Sequence, residues 1–148
     1  MEKQVIKLSL KFLILFIVFS VVAGCQENNK EPENGNLKKT YYDSGKLEST
    51  TTFANGKRNG IQKYYFENGN VASTVNFVND KMEGDLKAYY PDGRLRIVAH
   101  YENGVVTGES SRYYQDGRIE RIQKYDKGRL TYEKKFTGDG KVQYEDHY

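Results

Sequence analysis

The chain has no tryptophan, one cysteine, two prolines and two histidines among its 148 residues. The lone cysteine, Cys25, excludes an intramolecular disulfide. The histidines leave little material for acid–base or metal chemistry. His100 falls on the polar face of a strand pattern beside Tyr101, and His147 stands one residue from the end, where a frayed tail is expected. No Ser/His/Asp set stands in a recognisable order, and no phosphate-cradling glycine loop is present. A calcium-binding nonapeptide array needs denser Gly and Asp than this chain carries. The expectation is a protein that is not an enzyme, with no catalytic residues, metal or cofactor.

Blocks of like charge are also missing. Lys and Arg number 23 against 20 Asp and Glu, a formal net charge of +3, and the signs are interspersed. Nucleic-acid binding needs a basic stripe that neutralises phosphates, and none is visible. Beyond Cys25 no stretch carries a helical stripe of apolar residues, which argues against an all-α fold.

What is present is a repeat. Tyr89-Tyr90-Pro91-Asp92-Gly93-Arg94-Leu95 recurs as Tyr41-Tyr42-Asp43-Ser44-Gly45-Lys46-Leu47, as Tyr65-Phe66-Glu67-Asn68-Gly69-Asn70-Val71 and as Tyr113-Tyr114-Gln115-Asp116-Gly117-Arg118-Ile119. The glycines at 45, 69, 93 and 117 keep a step of 24 residues. Phe53, Phe77, Tyr101 and Tyr125 keep the same step, each three residues before Gly56, Asp80, Gly104 and Gly128. Gly60, Gly84 and Gly108 form a third set in phase with both. Three sets locked to one period mark a repeat array. Gly140 falls one residue short of the slot that the period assigns, so the last unit is irregular.

Within each unit the period is two. Leu47, Ser49, Thr51 and Phe53 fall on one side, as do Val71, Ser73, Val75 and Phe77, and then Leu95, Ile97, Ala99 and Tyr101. Alternation in segments rich in Thr, Val, Tyr and Phe means half-buried strands. Pro91-Asp92-Gly93 suits a type I turn closed by a glycine of positive φ, the three-residue hairpin loop with a bulge. Asn55 to Gly60, with Asn103 to Gly108 as its copy, reads as a second, longer turn. The spacing predicts an all-β antiparallel meander of about ten strands from Leu37 to Tyr144.

Residues 1–24 have a different chemistry. Lys3, Lys7 and Lys11 stand against Glu2 alone, and an apolar run follows from Phe12 to Ala23, broken only by Ser20. That run is too short to span a hydrocarbon core of about 30 Å comfortably. It reads as the centre of a secretory signal. Val22-Ala23-Gly24-Cys25 resembles the lipobox of bacterial lipoproteins, which implies acylation of Cys25 and cleavage just before it. Without residues 1–24 the chain keeps 20 basic against 19 acidic residues, a net charge of +1. Residues 25–36 read as the lipidated cysteine and a polar tether, and 37–148 as the repeat domain. The expected location is extracytoplasmic, on a bacterial envelope membrane held through the lipid on Cys25. Gln26, rather than Asp, after the cysteine disfavours retention in an inner membrane.

The pattern Tyr-Tyr-x-x-Gly-x-Leu, then Phe or Tyr, then Asn-Gly-x-x-x-Gly resembles the MORN-type repeat. More narrowly it is similar to the bacterial variant found in YwqK-family antitoxin components. The resemblance covers residues 37–144, in four close units and a degenerate fifth. It implies a single-layer sheet of stacked hairpins. The antitoxin association implies neutralisation of a partner protein by direct binding. A lipoprotein signal is foreign to a cytoplasmic antitoxin, and fits better the membrane association and scaffolding linked to MORN repeats elsewhere.

Paired tyrosines on a strand point to opposite faces. Tyr90 shares its side with Leu86 and Ala88, so Tyr42, Phe66, Tyr90 and Tyr114 read as the core row. Tyr41, Tyr65, Tyr89 and Tyr113 then form the outer row and the candidate binding residues, unless both rows merely pack on neighbouring strands. Three functions remain open. The leading one is a membrane-anchored module that binds another protein. A carbohydrate or cell-wall module is the second, although such aromatic rows usually depend on tryptophan. An antitoxin-like inhibitor is the third.

Overall fold

The structure, a computed structural model, describes residues 36–148. The signal at 1–24 and Cys25 lie outside the described residues, as does the tether except its last residue, Asn36, which already belongs to the first strand.

Eleven strands follow one another: β1 (Asn36–Tyr41), β2 (Leu47–Ala54), β3 (Lys57–Tyr65), β4 (Val71–Val78), β5 (Lys81–Met82), β6 (Gly84–Tyr89), β7 (Leu95–Glu102), β8 (Val105–Tyr113), β9 (Ile119–Asp126), β10 (Arg129–Phe136) and β11 (Val142–His147). They form one antiparallel sheet in sequence order, with the two-residue β5 pairing only β4. The all-β meander read from the period is the fold. There are eleven strands instead of about ten because a bulge at Glu83 and Gly84 splits one strand into β5 and β6.

Cross-strand pairing sorts the side chains into two faces. One row runs through Thr40, Ser49, Tyr64, Ser73, Ala88, Ile97, Arg112, Arg121, Lys135 and Tyr144. The buried side chains Ser49, Thr51, Gln62, Val75, Phe77, Ala88, Ala99 and Glu133 lie on this packed face, and Ser111 alone among the buried residues lies on the other. Among the described residues no second layer covers the packed face, and the core is thin and largely polar. Gln62 Nε2 donates to Thr51 Oγ1 at 2.9 Å, and Arg121, Gln123 and Tyr144 all donate to the Glu133 carboxylate at 2.8 to 2.9 Å. Such groups are tolerable inside because nearly all of their polar atoms have partners, Arg121 Nε being the one buried side-chain atom without one among the described residues. Phe77 is the best-buried aromatic, with the Arg58 guanidinium 4.0 Å above its ring centre. Burying such a ring contributes roughly 1.5–3 kcal/mol.

Two turns alternate along the sheet. At one edge Gly93 N–H donates to Tyr90 O and Tyr90 N–H to Arg94 O, both at 2.8 Å, and Gly93 has φ 88°. This is the bulged hairpin loop read from Pro91-Asp92-Gly93. The same bonds recur at Gly45, Gly69, Gly117 and, one residue early, at Gly140. At the other edge the structure corrects the sequence reading. Asn55-Gly56 and Asn103-Gly104 are two-residue turns with positive φ at both positions, the type I′ geometry that matches strand twist. Lys57–Tyr65 is already strand, so Gly60 sits in a bulge inside β3 and not in a long turn. Gly60 has φ 114°, and a Cβ there would meet Thr52 Cβ at 3.3 Å.

The tail also departs from expectation. His147 is the last residue of β11, opposite Tyr132, with the two rings 5.0 Å apart. It is held by pairing, where fraying had been expected.

Candidate functional site

The face opposite the packed one carries a second continuous row: Lys39, Thr50, Lys63, Thr74, Lys87, Val98, Ser111, Ile122, Lys134 and Glu145. Two residues along β1, β3, β6 and β8 from this row stand Tyr41, Tyr65, Tyr89 and Tyr113, on the same face by alternation. Each pairs with the aliphatic residue that follows its turn: Leu47, Val71, Leu95 and Ile119. Phe136 and Val142 continue the series. The result is a stripe of alternating aromatic and aliphatic side chains across the sheet, bordered by lysines. Equivalent tyrosines lie two strand spacings apart, about 9.5 Å.

Two grooves open on this stripe, and they are copies of each other. One is lined by Lys46, Leu47, Tyr65, Glu67, Asn68 and Gly69, the other by Lys63, Asn70, Val71, Thr74, Tyr89, Asp92 and Gly93. Each has a volume of about 390 Å³. Lys46, Leu47, Tyr65, Asn68 and Gly69 map onto Asn70, Val71, Tyr89, Asp92 and Gly93 at a step of 24. A tyrosine and an aliphatic side chain form the greasy part of each groove, and the next hairpin turn forms its polar rim.

The candidate row is brought onto one face, but its members differ in exposure. Tyr41, on the first strand, is 58% exposed, whereas Tyr65, Tyr89 and Tyr113 are half-buried beside their neighbours. The other row is not a core. Tyr42, Phe66, Tyr90 and Tyr114 are also half-buried, because they lie past the strand ends, where no second layer among the described residues covers them. Their hydroxyls do something else: Tyr42, Tyr90 and Tyr114 donate to the main-chain carbonyls of Tyr65, Tyr113 and Phe136 at 2.6, 2.7 and 2.8 Å. Cys25 lies outside the described residues.

The rim polar groups are largely spent. Asn68 Nδ2 and Asn70 Nδ2 both donate to Pro91 O at 2.8 Å, and Asp92 accepts from Gln115 Nε2 at 2.8 Å. That bond and the Arg94 N–H hold the Asp92 carboxyl below its usual range. Asp116 is held down likewise, by the Arg118 side chain and then its N–H. Elsewhere on this face His100 Nδ1 meets Asp85 Oδ1 at 2.8 Å, and that bond raises the histidine. On the packed face, Tyr125 is raised by burial and then by Glu133, and Tyr144 by its bond to Glu133 and then by burial. Asp85 faces an imidazole, but among the described residues no hydroxyl or thiol is hydrogen-bonded to His100 to complete a nucleophile–base pair. Among the described residues no group of three or more His, Cys, Asp or Glu is placed to hold a metal ion.

Sequence reasoning found the tyrosines and missed their groove partners. The signal was present, since Leu47 and Val71 belong to the same repeated heptapeptide as the tyrosines. What alternation could not supply is which side they face. A bulge after each hairpin turn adds a residue, so Tyr41 pairs Leu47 while Thr40 pairs Ser49. Leu47 therefore leaves the face of Ser49 and Thr51 and joins the tyrosine.

Three stretches of the chain match the family model of the MORN repeat variant: residues 36–55, 58–79 and 82–103. They coincide with the β1–β2, β3–β4 and β5–β7 hairpins. The chain is a repeat protein, similar over these residues to the MORN repeat variant, and the β8–β9 and β10–β11 hairpins repeat their turn and pairing geometry. No curated protein matches the sequence.

Proposed function

We propose that the chain is a non-enzymatic, lipid-anchored module of a bacterial envelope that binds another protein through the tyrosine–aliphatic stripe. The observation that carries the reading is the recurrence of one groove in two successive units, in register with the 24-residue repeat. Repeated subsites about 9.5 Å apart suit an extended segment laid across the strands. Their lining sets Tyr65, Tyr89, Leu47 and Val71 inside a rim of Lys46, Lys63, Glu67 and Asp92, the apolar centre and polar border of a protein-recognition patch. The anchor rests on Val22-Ala23-Gly24-Cys25, whose acyl chains contribute about 0.8 kcal/mol per buried CH₂.

A glycan is the second reading, favoured by the aromatic row alone. Sugar binding wants free amides beside the rings, and Asn68 and Asn70 each spend one of their two amide N–H donors on Pro91 O. The antitoxin reading is a narrower form of protein binding whose partner is a toxin. Pull-down of the tagged full chain from detergent-solubilised membranes tests the proposal. Tyr65, Tyr89 and Tyr113 changed together to Ser should abolish retention of a partner that the wild type holds. Equal retention by both would remove the stripe from the account.

A further inference from the structure

The two outer edges of the sheet are complementary in the register that the repeat itself uses. Among the described residues β1 pairs only with β2, and β11 only with β10. Inside the array, successive hairpins meet in one register: Ser49 opposite Tyr64, Thr50 opposite Lys63 and Thr51 opposite Gln62 where β2 meets β3. β11 occupies the slots of β2, because Phe136–Val142 and Lys135–Tyr144 repeat the pairs Tyr41–Leu47 and Thr40–Ser49. β1 occupies the slots of β3, 24 residues earlier in the chain. Laying β1 of a second copy against β11 in this register sets Tyr144 opposite Thr40, Glu145 opposite Lys39 and Asp146 opposite Lys38. Each acidic residue meets a basic one, on alternate faces of the sheet.

The internal junctions have no such pairs. Their equivalent positions hold Thr50–Lys63, Thr74–Lys87, Val98–Ser111 and Ile122–Lys134. At these positions opposite signs therefore meet only across the two edges; the β9–β10 junction has its opposite charges elsewhere, Arg129 opposite Asp126 and Arg121 with Glu133. The Glu145 carboxylate is already held by Lys134 Nζ at 2.8 Å and Tyr132 Oη at 3.0 Å, on the face where Lys39 would arrive.

Apolar exposure points the same way. Leu37 and Tyr41 on β1 are 54% and 58% exposed, and Val142 on β11 is 51% exposed. In the grooves each aliphatic residue of the stripe lies beside the tyrosine of the next hairpin, as Leu47 with Tyr65 and Val71 with Tyr89. Val142 has no following tyrosine among the described residues, and Tyr41 has no preceding aliphatic one. The junction gives each the neighbour it lacks. A symmetric contact of β1 with β1, or of β11 with β11, would instead crowd Lys38 and Lys39, or Glu145 and Asp146, against their own copies.

We propose that this protein associates with further copies of itself head to tail, β11 of one against β1 of the next, continuing the sheet across molecules. This contact is heterologous, so it propagates into linear chains unless a rotation closes it. A single strand pair is small beside the roughly 1,200 Å² of a standard interface, so association is concentration-dependent and weakened by salt. It extends the stripe through Val142 and Tyr41 but does not require a protein bound in the grooves.

Sedimentation velocity of the purified full chain in detergent, over a range of protein concentrations at low salt, tests it. The wild type should show masses rising in steps of one chain. K38E/K39E and E145K/D146K should each weaken association by about tenfold, from like charges set opposite one another. Mixing these two variants should restore it, because each then offers the edge that the other needs. The combined variant carrying all the reversals should associate alone. Recovery on mixing is a result that misfolding cannot produce, and thermal melts accompany each sample. Should loss of the Lys134 bridge unfold the E145K/D146K variant, D146K against K38E repeats the swap with Glu145 intact. A single mass at every concentration, a closed dimer only, or no recovery on mixing of folded variants would overturn the proposal.

Discussion

The hydroxyl of Tyr90 donates a 2.7 Å hydrogen bond to the main-chain carbonyl of Tyr113, one repeat further along the sheet. Tyr42 and Tyr114 make the same bond to Tyr65 and Phe136. At the opposite edge the N–H groups of Asp80, Gly104 and Gly128 donate backwards to the carbonyls of Arg58, Met82 and Val106 at 2.8 to 2.9 Å. Except at Phe66, which has no hydroxyl, neighbouring units are thus fastened at the strand ends beyond the ladder itself. In an array where units contact only their neighbours, such bonds set the interface part of stability.

The tyrosine fastener predicts opposite effects at two equivalent slots. Tyr90→Phe should lower stability by about 1 kcal/mol, the usual net worth of such a bond. Phe66 stands in the same slot without a hydroxyl, so Phe66→Tyr should raise stability, by reaching the carbonyl of Tyr89. Denaturant unfolding of both variants checks this, and two neutral results would reduce the row to simple packing.

Gly93 tests the turn. Its φ is 88°, and a Cβ there would meet nothing within 4 Å, so any cost of substitution is conformational. Gly93→Val should lose about 1–3 kcal/mol, and Gly93→Asn distinctly less, since Asn tolerates the left-handed region. Thermal melts in which Val and Asn behave alike would place the strain elsewhere.

The fold was almost wholly legible because three residue sets share one period, and only a sheet of hairpins satisfies alternation and turn chemistry together. Two things were not legible. Local turn motifs do not say where a bulge falls, so Gly60 read as the end of a long turn instead of a widened point within β3. Alternation does not say which face will be covered, and among the described residues neither is covered by a second layer. The Tyr42 row therefore looked like core, although its members sit half-buried at the turn edge. The irregular tail was readable after the fact: Gly140, one residue early, shifts the phase so that Tyr148 takes the slot of Phe53, Phe77, Tyr101 and Tyr125.

The Asp85–His100 pair predicts a pH effect of known sign. The hydrogen bond that His100 Nδ1 donates to the Asp85 carboxylate lifts the histidine above its usual value of 6.5. A raised value in the folded state means that the pair's stabilisation is complete below about pH 6.5 and fades as pH rises through the folded-state value. Titration followed by NMR should show the His100 resonances moving to a lower midpoint in Asp85→Asn. An unchanged midpoint would mean that the two side chains do not pair in solution.

Lipid attachment is separable from the fold. Cells fed a clickable fatty acid should label the wild type and leave Cys25→Ala unlabelled, while the tagged domain still accumulates. Equal labelling of both would end the lipoprotein reading.

The central claim is that one face of the sheet, and not the other, receives a protein partner. Lys63 and Tyr64 are adjacent on β3 and point to opposite faces: Lys63 lines a groove of the stripe, and Tyr64, 43% exposed, lies on the packed face. Placing a photo-crosslinking amino acid at each position in turn, in cells at native expression levels, compares the faces directly. The account predicts an adduct of one defined mass from position 63, repeated from Lys87 one unit along, and none from position 64. Adducts of equal yield from 63 and 64, or from 64 alone, would contradict it.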